Sequence, residues 1–197
     1  MSNTVSARVD GPDPLAGVES PASSRHSPIS EGESAPQFCL LDADMELFDL
    51  HEILSHQMVV LHFYPRDAMP SSTRLAIGFS DMDDAFVRCG AKVAVVSLDS
   101  CATHAEFRDE HGVALHLLSD EEGEVSRLFG LWDVDGARNG SKSCAVRRAT
   151  YVIGRDGLIH RAFNEVPPQE LPARVLEHVK QISGSWNGNR QEHRRHA

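Results

Sequence analysis

Apolar positions along this chain follow two rhythms, and the switches between them mark the elements. Residues 58–64 (MVVLHFY) form a nearly unbroken β-branched and aromatic run that stops at Pro65, as a strand buried on both faces would. Residues 92–98 (KVAVVSL) repeat the pattern. Between them Leu75, Phe79, Met82 and Phe86 recur at helical spacing, which predicts a helix over 72–87 with one face inward. A short helix follows over 103–111, with Phe107 turned to the core. Leu115 to Leu118 is a brief apolar run. Ser119-Asp120 after it is an N-cap signal, and the helix it opens runs through Val125, Leu128 and Phe129 to Gly130. Residues 149–153 and 158–163 read as a hairpin turning at Arg155-Asp156-Gly157. The last helix spans residues 169–182, with Leu171, Val175, Leu176, Val179 and Ile182 on one face. Phe38 to Leu41 adds a short apolar run ahead of a polar turn.

This order predicts one α/β domain over residues 32–182, with a mixed central sheet flanked by helices. Residues 1–31 are rich in Ser, Pro, Gly and acids and hold few large hydrophobics. Burial there cannot offset the entropy of ordering, so a disordered tail is expected. Residues 183–197 read as a second, flexible tail in which Trp186 is the one residue suited to docking.

Composition narrows the function. Hydrophobic residues at 41% and charged residues at 24% are an ordinary globular mix. Acidic residues outnumber basic ones 29 to 19, a formal charge of −10, which disfavours nucleic acid and anionic membrane surfaces as partners. No apolar run approaches the roughly 18 residues that span a bilayer. The first residues lack the charged and apolar regions of a secretory signal, and Asp10, Asp13 and Glu19 disfavour a transit peptide, so cytoplasm is the expected location. Cys39, Cys89, Cys101 and Cys144 are too widely spaced for a CxxC or zinc pattern, and free thiols are expected. The 11 histidines are scattered; they read as solvated or hydrogen-bonded rather than metal-binding, and no metal is expected.

Residues 32–38 (GESAPQF), then VVLHFYPRD, VAVVSLDS, LLSDEEGEVSRLFGLW and RRATYVIGRDGLI, resemble the bacterioferritin-comigratory, or Q-type, peroxiredoxins in order and spacing. The resemblance implies a thioredoxin-like fold with extra elements. It implies thiol-dependent reduction of hydrogen peroxide and alkyl hydroperoxides, with no cofactor. Its partners would be thioredoxin or another protein, a small peroxide or anion in the pocket, and a second copy in a homodimer.

That chemistry needs a thiolate at the start of the helix after the first core strand. The helix N-terminus and an arginine lower the thiol pKa from about 8.5, and attack on the O–O bond gives a sulfenic acid. The family pattern Pro-x-x-x-Thr-x-x-Cys reads here as Pro65-Arg66-Asp67-Ala68-Met69-Pro70-Ser71-Ser72. The proline matches. Met69 stands at the position of the active-site threonine and Ser72 at that of the peroxidatic cysteine, while a resolving cysteine five residues on would fall at Ile77. The expected arginine is Arg148. A hydroxyl oxygen cannot replace sulfur in a sulfenate cycle, so peroxidase activity is expected to be lost or weak.

Each residue also has a plainer reading. Ser72 is an N-cap, or a nucleophile if a base such as His62 lies beside it. Unpaired helix N–H groups with Arg148 suit a small anion, unless Arg148 is held in a structural ion pair. Cys101, opening a helix after a strand end, is either a half-buried small residue or a relocated redox thiol, and the second would make the chain an active peroxidase after all. Cys144 precedes Arg148 in an exposed loop, and Cys39 and Cys89 read as core or element-end positions.

Overall fold

The computed structural model describes residues 27–133, 146–164 and 166–195. Five strands make the main sheet: β3 (Met58–Phe63), β4 (Ala91–Ser97), β5 (His116–Ser119), β6 (Ala149–Ile153) and β7 (Ile159–Phe163). Their order is β5-β4-β3-β6-β7. β4 lies parallel to both β3 and β5, whereas β6 is antiparallel to β3 and β7 to β6, the mixed sheet expected from the sequence. A separate antiparallel ribbon, β1 (Cys39–Leu41) with β2 (Leu47–Asp49), leads into α1 (Leu50–Leu54).

The strand pleat divides the core into two layers. Val59, Leu61 and Phe63 point to one face, where they meet Phe38, Val125 and Phe129. Met58, Val60 and Tyr64 point to the other. There they pack on α2 (Pro70–Ser80), α3 (Asp83–Arg88), α4 (Cys101–His111) and α6 (Leu171–Arg195) through Leu75, Phe79, Phe86, Phe107, Val175 and Val179. The short α5 (Glu124–Leu128) lies on the first face. Helices thus cover both sides of the sheet, a thioredoxin-like arrangement.

Several boundaries differ from the sequence reading, each for a local reason. The helix expected over 72–87 is two helices, broken at Asp81 and Met82 before a new start with Asp83 and Asp84 in its first turn. Ile29, expected in the tail, is 3% exposed and packs into the first core layer. Its N–H donates to the carbonyl of Phe129, so the ordered chain starts before residue 32; residues 1–26 lie outside the described residues. The last helix passes Ile182 and runs to Arg195, with no proline after Pro172 to stop it. Asp120 caps α5 from a distance: Gly123 is the N-cap, but Asp120 accepts the N–H groups of Val125 (3.1 Å) and Ser126 (2.8 Å).

Gly130 is where the amino-terminal segment presses on the core. Its φ is +68°, and an added Cβ would fall 1.9 Å from the carbonyl oxygen of Ser27. Gly130→Ala is therefore expected to cost more than about 1 kcal/mol of unfolding free energy in urea, through both strain and clash; an unchanged midpoint would contradict this packing.

Candidate functional site

β3 ends at Phe63 and the chain turns through Tyr64 and Pro65 toward α2. The helix starts at Pro70, which lacks the N–H that a first helical residue leaves unpaired. Met69 is the N-cap and makes no side-chain cap bond. Ser72 is therefore the third helical residue, not the cap that one reading made it, and it is fully buried. The N–H groups of Ser72 and Thr73 both donate to the Met69 carbonyl, at 2.8 and 3.0 Å. These two donors are spent inside the helix instead of standing free for an anion, contrary to the sequence expectation.

Arg148 reaches this point because Ala149 of β6 pairs with Phe63 at the end of β3. Its Nη2 donates to Ser71 Oγ at 2.9 Å and lies 3.5 Å from Ser72 Oγ. Among the described residues its partners are thus hydroxyls, not the carboxylate of a structural ion pair. Nε of Arg148 is buried without a partner, and burial lowers the guanidinium pKa from its usual value. Two hydroxyls and a half-desolvated cation make a polar recess with no sulfur at its centre. Pro65 is half-buried in the loop, and Met69 stands 36% exposed at the helix start. Ile77 faces a different space, a cavity of about 740 Å³ between α2 and α4 that Thr73, Arg74 and Phe107 also line.

His62 is no base for Ser72. Its Nδ1 shares a 2.7 Å hydrogen bond with Thr150 Oγ1, and its buried Nε2 has no partner. Burial first, then the charge of Arg148, pulls its pKa to about 3 against a weaker hydrogen-bond interaction of the ring with the Ala149 backbone as acceptor. The imidazole is neutral and belongs to the core, against the rings of Tyr64 and Phe79.

A buried network under the loop was not visible in the sequence. Asp67 accepts from the phenol of Tyr64 and, at 2.7 Å, from Nδ1 of His104. Its N–H donates to Asp99 at 2.8 Å, and Asp99 also accepts from the Ser97 hydroxyl at 2.8 Å. Nε2 of His104 lies 3.2 Å from the Leu118 carbonyl. Burial, then Asp67, raises the Tyr64 pKa well above its usual value, so the phenol stays a donor. The scattered histidines therefore include two, His62 and His104, that are fully buried. Among the described residues no His, Cys, Asp and Glu group is arranged to hold a metal ion.

Cys101 is the first residue of α4, capped by the side chain of Ser100. It lines a cavity of about 600 Å³ with Cys39, Asp120, Glu121, Glu122 and Glu124, a wall with no lysine or arginine among the described residues. Ser72 and Arg148 do not line it. Cys39 is exposed rather than core, and Cys89 caps the end of α3. Cys144 lies outside the described residues.

Comparison with known proteins agrees with this architecture. Residues 32–162 match the AhpC/TSA family. The chain is 31% identical to a putative peroxiredoxin bcp of Coxiella burnetii, over 79% of this chain and 97% of that protein. It is 34% identical to the chloroplastic peroxiredoxin Q of Oryza sativa subsp. japonica over 69% of this chain, spanning 59% of the rice protein's length. The crystal structure of peroxidoxin BcpB from Mycobacterium tuberculosis superposes with a TM-score of 0.69 at 27% identity, covering 77% of this chain and 97% of that one.

Two measurements test the site's electrostatics. His104→Ala leaves the Asp67 carboxylate buried without its imidazole donor and is expected to cost about 1–3 kcal/mol in urea unfolding; a loss below about 1 kcal/mol would show that the network carries little. His62 binds a proton near pH 3 when folded but near 6.5 when unfolded, so the unfolded state holds more protons between those values. Its contribution to stability is full above pH 6.5 and falls as pH drops toward 3. His62→Gln should flatten the decline of unfolding free energy over that window; an unchanged slope would refute the buried, neutral imidazole.

Proposed function

The chain belongs to the AhpC/TSA family, in its Bcp and peroxiredoxin Q branch, and from that premise we propose that it is a peroxiredoxin-fold protein without thiol peroxidase turnover. One observation carries the reading. The guanidinium of Arg148 is aimed at two serine hydroxyls, of Ser71 and Ser72, at the helix start where the family's chemistry needs a thiolate. Oxygen at that position forms no sulfenic acid. Met69 and Ile77, in place of the expected threonine and resolving cysteine, support the same reading. The pocket keeps its frame, Pro65 and Arg148, and would serve to bind a small polar ligand or peroxide while another surface meets a protein partner of the thioredoxin kind or a second copy. A cytoplasmic location belongs to the same proposal; the rice relative is chloroplastic.

The alternative, an active peroxidase working through Cys101, has less support. That thiol lies in a cavity walled by carboxylates and lined by neither Arg148 nor Ser72. No described cation stands in that wall to favour a thiolate.

Consumption of hydrogen peroxide, followed with thioredoxin, its reductase and NADPH, separates the readings. The native chain is expected to give no rate above buffer, and Cys101→Ala to change nothing. Ser72→Cys is expected to introduce turnover. Brisk turnover by the native chain would overturn the proposal, and its loss in Cys101→Ala would assign the activity to that thiol.

A further inference from the structure

Away from this site, a carboxylate, an imidazole and an amine form a line on the outer edge of the sheet. His116 opens the edge strand β5 and pairs with Ala94, which places Lys92 of β4 two residues away on the same face. Nδ1 of His116 donates to Asp42 Oδ2 at 3.2 Å. Asp42 is 4% exposed, and its other oxygen accepts the N–H groups of Asp44 (2.9 Å) and Glu46 (3.0 Å), so the carboxylate is fixed. With Nδ1 committed as donor, Nε2 presents its lone pair, and Lys92 Nζ lies 3.2 Å from it. Phe48 packs edge-on against the imidazole and holds its plane. Lys92 and His116 are only half-buried, so small molecules can reach the amine.

We propose that Lys92 is an acyl-accepting nucleophile, with His116 as its general base and Asp42 as the residue that orients the base. The acyl donor is an uncharged thioester. Asp83, whose carboxylate interacts with both Lys92 and His116, has Asp84 beside it, and this acidic rim disfavours phosphorylated donors. A lysine side chain at rest is an ammonium and must lose a proton before it can attack. After that ammonium gives one proton to solvent, the nitrogen lone pair attacks the thioester carbonyl and the C–S bond breaks. The second amine proton passes through His116 Nε2 to the departing thiolate. The products are an amide on Lys92 and a free thiol, with no change of oxidation state.

The sequence makes the test clean, because the chain has three lysines, Lys92, Lys142 and Lys180. Lys180 is exposed, so accessibility alone predicts that it reacts before Lys92. The full chain is incubated with the N-acetylcysteamine thioester of acetate, or with acetyl phosphate, and acetylation is followed by peptide mass spectrometry. Lys92 is expected to react at least about tenfold faster than Lys180 with the thioester, and without that preference with acetyl phosphate. His116→Gln should bring Lys92 down to the Lys180 rate while Lys180 stays unchanged. Should that variant fail to fold by circular dichroism, Asp42→Asn takes its place with the same expectation. Equal rates in the native chain, or a preference that survives loss of the base, would overturn the proposal. A preference for acetyl phosphate would overturn the donor class.

Discussion

Two carboxylates buried beneath the loop from Pro65 to Met69 set the geometry on which the rest of the site depends. Asp67 and Asp99 are almost without solvent, and an unpaired charge there would cost several kcal/mol. They are tolerated because both oxygens of each are answered: Tyr64 and His104 on Asp67, the Asp67 N–H and Ser97 on one oxygen of Asp99, and the Arg66 guanidinium at 3.4 Å on the other. Those partners come from the end of β3, the end of β4 and the helix α4. Satisfying the charges therefore locks three elements and the loop into one arrangement. Thr73 extends the tie into α2 by donating to the Asp67 carbonyl at 2.9 Å. The start of α2, and Ser72 with it, stands where this network holds it.

On the other side of the helix start, β6 delivers Arg148. The frame is thus built twice over, by a buried anionic network on one side and a half-buried cation on the other. Neither part requires sulfur at position 72. A serine there takes a 3.5 Å contact from Arg148 and leaves the helix start intact. This separation explains how the fold and the frame persist where the residue that would carry the family's chemistry differs. The pair of N–H groups spent on Met69 marks the difference from an open anion site, and Arg148 becomes the chief polar donor that the recess offers.

What could be read from the sequence was what a single element writes into its own spacing. The β3 and β4 runs, the hairpin of β6 and β7, and the apolar stripe of α6 each carry their signal over five or more residues. β1 and β2 are three residues each, too short for a period, and their pairing rests on a turn. Met82, though spaced as if it continued the stripe of α2, lies where the chain breaks between two helices. His104 and Asp67 are 37 residues apart, and a histidine between Thr103 and Ala105 looks like a surface residue until the fold closes on it. The lysine–histidine pair is equally non-local, set by strand register. Ser72 was legible as a substitution, but its depth in the first turn depends on Pro70 starting the helix two residues before the apolar stripe suggests.

The central claim is that the frame survives without its reagent, and a thiol placed in that frame reports on it directly. The measurement is the ultraviolet thiolate absorbance of Ser72→Cys against pH, with the same variant carrying Arg148→Met as reference. Arg148 and the helix start should hold the new thiol's pKa below about 7, and removing the guanidinium should return it toward about 8.5. A thiol that titrates at or above about 8.5 with Arg148 in place would contradict the account, for the pocket would then have lost its electrostatics along with its cysteine.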